Sequence, residues 1–113
     1  PPMNIFETAV LRERPGVSLP ASLPAQADVI GVRPDAIVLD QPAGAAIALK
    51  GTVELIEPVG GESHVYVRMT GTDQIVIVVV QGRAPFGETE EIAFYLPEAA
   101  LHPFDKTSGR RIG

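Results

Sequence analysis

The chain has 113 residues, a formal net charge of −5, 45% apolar and 20% charged residues, and no cysteine. Its size is that of one domain with one modest core, and its composition is that of a folded chain. The charge balance disfavours nucleic acid, the missing cysteines exclude disulfides and thiolate sites, and the longest apolar run, Ile75–Val80, falls far short of the roughly 20 residues of a membrane span. No secretion signal is visible, and a start at Pro-Pro-Met-Asn implies a processed chain or a fragment.

Eleven prolines and eleven glycines favour strands and turns over helices, because proline breaks helix interiors and glycine supplies the positive backbone angles of turns. At least six strands are expected. Asn4–Leu11 reads as the first, and the proline-punctuated "SLPASLPAQ" as a loop or weak edge strand. "ADVIGVRP" gives a short second strand, and "QPAGAA" a small-residue turn. Ala46–Pro58 reads as a long strand with a bulge or bend at Gly51. "SHVYVRM" alternates, with Val65, Val67 and Met69 on one face and His64, Tyr66 and Arg68 on the other. "QIVIVVV" reads as a central strand buried on both faces. "QGRAPFGET" is a connecting loop, and "EIAFYL" places Ile92, Phe94 and Leu96 together. "PEAAL" suggests a single helical turn, and "HPFDKTSGRRI" a last short strand. The fold class is therefore all-β, a small closed or partly closed barrel of short antiparallel strands forming one domain over residues 1–113.

Chemistry-bearing motifs are sparse. A phosphate loop needs Gly-x4-Gly-Lys-Ser/Thr, and "GAAIALKGT" has Leu49 and Gly51 where Gly and Ser/Thr are required. Ser63 and His64 are adjacent on a strand, so they face opposite sides and cannot share a proton. His64 and His102 stand in different elements, which suits surface or packing roles rather than a metal site. The acidic run Glu88–Glu91 reads as a solvated strand entry, and nothing selects a catalytic pair.

Two segments stand out. In "GVRPD", Pro34 fixes its own backbone and keeps Arg33 extended, so the guanidinium projects from a rigid segment. Such an arginine suits a bidentate carboxylate, either within the chain or on another subunit. In "EPVGGE", Pro58 ends a strand and Gly60-Gly61 reverses the chain, most simply as a hairpin.

The order of these motifs resembles a known family. "PPMN", then "GVRPD", "GTVELIEPVGGESHVYVRM", "PFGETEEIAFYLPEAALHPFD" and "TSGRRI" follow one another as in the transport-associated OB-fold (TOBE) domain. That domain is the C-terminal regulatory region of ATP-binding subunits in bacterial ABC importers of the sugar, polyol and glycerol-phosphate branch. Pro2, Met3 and Asn4 match a Pro-x-Met-Asn segment, and Gly31–Asp35 match Gly-Ile/Val-Arg-Pro-Glu with Asp for Glu. Glu57, Val59, Gly60 and Glu62 match Glu-x-Leu/Val-Gly-x-Glu. His102, Phe104 and Asp105 match His-x-Phe-Asp, with Pro103 where Leu is usual.

The resemblance implies an OB-like barrel that regulates and dimerises without catalysing. Its partners would be a second copy, the ATPase domain of a parent chain and, through it, membrane-spanning permease subunits, with no direct membrane insertion. ATP and magnesium would belong to the ATPase domain, leaving this region without a cofactor, and the location would be cytoplasmic, at the inner face of the membrane. Arg33, Pro34, Asp35, Glu57, Gly60 and Glu62 are the interface or architectural candidates. The alternative implied by related TOBE domains is a module for a small, molybdate-like oxyanion. An oligonucleotide-binding barrel is the third reading, and it lacks a basic face and interleaved aromatics.

Overall fold

The computed structural model describes residues 1–112. Seven strands form two antiparallel sheets. β1 (Asn4–Glu7), β2 (Val29–Val32) and β7 (His102–Phe104) make a three-stranded sheet in the order β1-β2-β7. β3 (Ala46–Val59), β4 (Glu62–Met69), β5 (Ile75–Gln81) and β6 (Glu91–Pro97) make a four-stranded sheet in the order β5-β4-β3-β6. A short helix, α1 (Thr8–Arg12), and two 3-10 turns, Pro34–Ala36 and Glu98–Ala100, complete the chain. The expected all-β class and the helical turn after β6 are both present.

The core lies between the sheets. Phe6, Ile30, Val32, Ile47, Val53, Val65, Val67, Val76, Val78, Phe94 and Leu96 are completely buried there. Each such side chain contributes about 1.5–3 kcal/mol by leaving water. Strict alternation along β4 delivers Val65, Val67 and Met69 to this core, as their spacing predicts. Phe94 and Leu96 arrive from β6 in the same way.

Side chains join the two sheets where strands do not. Asn4 is buried at the edge of β5, where its Nδ2 donates to the Ile77 carbonyl at 2.8 Å and its Oδ1 accepts from the Ile77 N–H at 2.8 Å. The amide group thus occupies the place of a neighbouring strand at one residue. Gln74 adds a bond from Nε2 to the Ile5 carbonyl at 2.7 Å. On the far side of the larger sheet, Val38 pairs with Tyr95 through two backbone bonds of 3.1 and 2.8 Å.

Three expectations are corrected. The first strand ends at Glu7, and Thr8–Arg12 is helical. Thr8 and Leu11 are three residues apart and both buried, a helical spacing, and the Thr8 N–H and hydroxyl are satisfied by Asp28 and Ala27 carbonyls. β5 is an edge strand rather than a central one. Only Val76 and Val78 are buried in its apolar run, while Ile75 is 41% exposed. The bulge expected at Gly51 falls three residues later, where the β3–β4 register shifts between Val53 and Leu55. Gly51 serves another purpose: a Cβ there would lie 2.5 Å from both the Arg68 carbonyl oxygen and Val67 Cγ1.

Candidate functional site

The candidate residues gather around the outward face of the β3–β4–β5 hairpins. Arg33 leaves β2 in extended conformation, and Pro34 opens the 3-10 turn with its ring buried. The Ala36 N–H donates to the Arg33 carbonyl at 3.0 Å, which locks the turn. Arg33 and Asp35 therefore project into solvent from a fixed support. Together with Pro1, Met3, Glu62 and Val79 they line an open cleft of about 390 Å³.

Glu62 reaches that cleft from the start of β4. Its Oε1 lies 2.9 Å from His64 Nε2, and its Oε2 accepts from Gln81 Nε2 at 3.4 Å. The hydrogen bond from His64 holds the Glu62 carboxyl below its ordinary value, outweighing desolvation, which acts in the opposite sense. Residues two apart share a strand face, so the Glu62–His64 pair was legible in the alternation. The His64 side chain is largely buried, which fits a packing role, and Ser63 faces inward to donate to the Gly82 carbonyl at 2.7 Å.

Glu57 and Gly60 lie farther along the same hairpin. Glu57 stands opposite His64 in register, and the Tyr66 hydroxyl donates to it at 3.4 Å. Gly60 takes φ +62° at the tip, a left-handed angle that makes glycine the natural residue for this turn. Gly60 and Glu62 also line a second cleft with Ile56, Pro58, Arg83 and Phe86. The structure thus brings Arg33, Pro34, Asp35 and Glu62 together, with Glu57 and Gly60 beside them on the hairpin.

Arg33 takes part in none of the ion pairs among the described residues, which are His64–Glu62, Arg68–Glu54 and Lys106–Glu7. The intramolecular carboxylate partner considered for it is absent there. The same outward face carries exposed apolar side chains, Leu55 at 46% and Val59 at 42%. Among the described residues no three His, Cys, Asp or Glu side chains converge as a metal-binding group, and no helix is long and apolar enough to cross a membrane. Asn4 stands out in the sequence only as part of the Pro-x-Met-Asn match, with no local signal for its burial, and Gln81, which reaches Glu62 through strand pairing, does not stand out at all.

Residues 30–104, from β2 through β7, match the TOBE domain family. The chain belongs to that family. The TOBE domain here is 44% identical over 111 residues to sn-glycerol-3-phosphate import ATP-binding protein UgpC 3 of Rhizobium johnstonii, covering 98% of this chain and 32% of that protein. The corresponding UgpC 3 of Rhizobium etli is 41% identical over 112 residues, with the same coverage of 98% and 32%. The matched region is the C-terminal part of those subunits, so the chain spans about a third of the length of these curated relatives. Among solved structures, the cytoplasmic molybdate-binding protein ModG, with molybdate bound, superposes with a TM-score of 0.56 at 17% identity, covering 65% of this chain and 57% of that one. That likeness establishes a shared OB-like fold.

Proposed function

We propose that this TOBE domain is the regulatory and dimerisation end of the ATP-binding subunit of an ABC importer for a glycerol phosphate, sugar or polyol. The observation that carries the reading is the alignment of 98% of the chain with the C-terminal part of the UgpC 3 subunit at 44% identity. On this reading the domain performs no catalysis. ATP and magnesium are bound by an ATPase domain of the parent chain, which also links it to permease subunits at the cytoplasmic face of the membrane.

The surface supports a contact with a second copy. A two-fold interface uses one patch twice, so it must be complementary to itself. The hairpin face combines exposed Leu55 and Val59 with an unpaired cation, Arg33, and the carboxylates Asp35 and Glu57. Arginine of one copy can then meet a carboxylate of the other, with apolar side chains between them.

An oxyanion module is the weaker reading. Its cleft would need paired cations or a nest of backbone amides, whereas the Arg33 cleft sets one cation against Asp35 and Glu62. Sedimentation equilibrium over a wide concentration range tests the proposal. A dimer that dissociates on dilution, and dissociates more readily with Arg33→Ala, is the expected result. A strict monomer at high concentration would remove self-association from the activities of this domain.

A further inference from the structure

Another groove lies away from the Arg33 cleft. Residues of the loop after α1 line it together with residues of β3 and β6 and the end of β4, and it has a volume of about 580 Å³. That falls within the range of about 300–1,000 Å³ typical of small-molecule sites. Ala48 and Ala93 lie along its floor, with Val17 beside them. Small side chains at these two strand positions leave the floor low and apolar. Arg14 and Lys50 supply cations to the lining, and Glu91 supplies the one carboxylate.

The Arg14 side chain and the Lys50 backbone both bond to Thr70. Arg14 Nη1 donates to the Thr70 carbonyl at 3.0 Å, and its Nε donates to the Val10 carbonyl at 3.3 Å. The Thr70 N–H in turn donates to the Lys50 carbonyl at 3.0 Å. Gly71 takes φ +81°, a left-handed angle that favours glycine, and the Arg14 guanidinium lies in the space beside it. Neither Arg14 nor Lys50 joins an ion pair among the described residues.

We propose that this groove binds a small organic acid with an apolar body. The acid's carboxylate meets Arg14 and Lys50, and its body lies on Ala48 and Ala93. Glu91 repels the anionic end and so fixes the orientation. This site is independent of the self-association surface and of the importer reading.

The test is a titration of the 113-residue chain with octanoate, followed by the backbone amide NMR signals of Lys50, Thr70 and Ala93. Octanol, which has the body without the charge, and inorganic phosphate, which has the charge without the body, are titrated in parallel. Saturable octanoate shifts at these amides are expected, with weaker binding of both controls. Lys50→Gln, at an exposed position, is expected to weaken octanoate by about tenfold through loss of one charge-assisted contact. Ala93→Leu fills the floor and is expected to abolish binding, with unchanged core signals from Val65 and Val67 showing that the fold persists.

Absence of shifts at millimolar octanoate overturns the proposal and leaves the groove as a seat for another part of a protein chain. Equal binding of octanol, equal binding of phosphate, or an unaffected Lys50→Gln overturns it as well.

Discussion

The two halves of β3 belong to one strand and obey different rules. From Ala46 to Thr52 the strand pairs with β6, joined by β4 from Gly51 onward, and Ile47, Leu49 and Val53 are buried in alternation. After the register shift at Val53/Leu55 it keeps β4 as its only partner strand, and Leu55, Glu57, Pro58 and Val59 are exposed. The first half is committed to the core. The second projects as a hairpin whose side chains remain available to a partner. An extra residue, Glu54, marks the change. It has no partner in the ladder, and its carboxylate pairs with Arg68.

The contrast can be tested most severely at Gly51. Gly51→Ala places a methyl against the Arg68 carbonyl and Val67. Backbone cannot yield as a flexible side chain can, so a loss of about 3 kcal/mol is expected in chemical denaturation. A variant as stable as the parent would show that the β3–β4 pairing is slack where it now reads as tight.

The same valine deletion at two sites sharpens the comparison. Val53→Ala removes a completely buried side chain and is expected to cost about 2 kcal/mol. Val59→Ala, at 42% exposure, is expected to change stability by less than about 0.5 kcal/mol while weakening self-association in sedimentation. Equal stability losses at the two positions would abolish the distinction between a core half and a free half.

Asn4→Ala tests closure rather than packing. It strips the Ile77 N–H and carbonyl of their partners, and a cost of about 1–3 kcal/mol is expected from unsatisfied, part-buried backbone.

The smallest effect concerns pH beside the hairpin tip. The Glu62 carboxyl is held below its ordinary value of 4.5 by the bond from His64. A group depressed in the folded state binds its proton less readily there than in the unfolded chain. Its contribution is therefore complete above that ordinary value and fades as pH falls through the folded-state value. The urea midpoint of the parent is expected to drop slightly more than that of Glu62→Gln on going from about pH 6 to about pH 3. Identical pH profiles would remove this pair from the account.

Much of this was legible in the sequence where one residue's neighbours decide its fate. Alternation located the inward faces of β4 and β6, and Gly60-Gly61 located the hairpin. The family emerged from the order of several weak motifs, none specific alone. What sequence did not reveal depended on distant chain. Helix α1 follows a strand because Thr8 finds acceptors at Ala27 and Asp28. The run Ile75–Val80 looks like a central strand, but Asn4 and the Pro34 turn, rather than further strands, lie beside it. The bulge at Glu54 involves no glycine or proline, so no local punctuation announces it. Four of the candidate interface residues do share one cleft, yet the lack of an internal partner for Arg33 could only be read from coordinates.

The Asn4–Ile77 bridge also bears on kinetics. It joins residues 73 positions apart, whereas the β3–β4 hairpin closes over a short turn. Contacts of great sequence separation demand that a long loop be closed before they repay its entropy. The hairpins therefore have reason to form first and the Asn4 seam last. Asn4→Ala is then expected to accelerate unfolding while leaving the refolding rate nearly unchanged in stopped-flow measurements. The amide that completes the barrel would thus act as a latch, governing how long the native state persists more than how quickly it is reached.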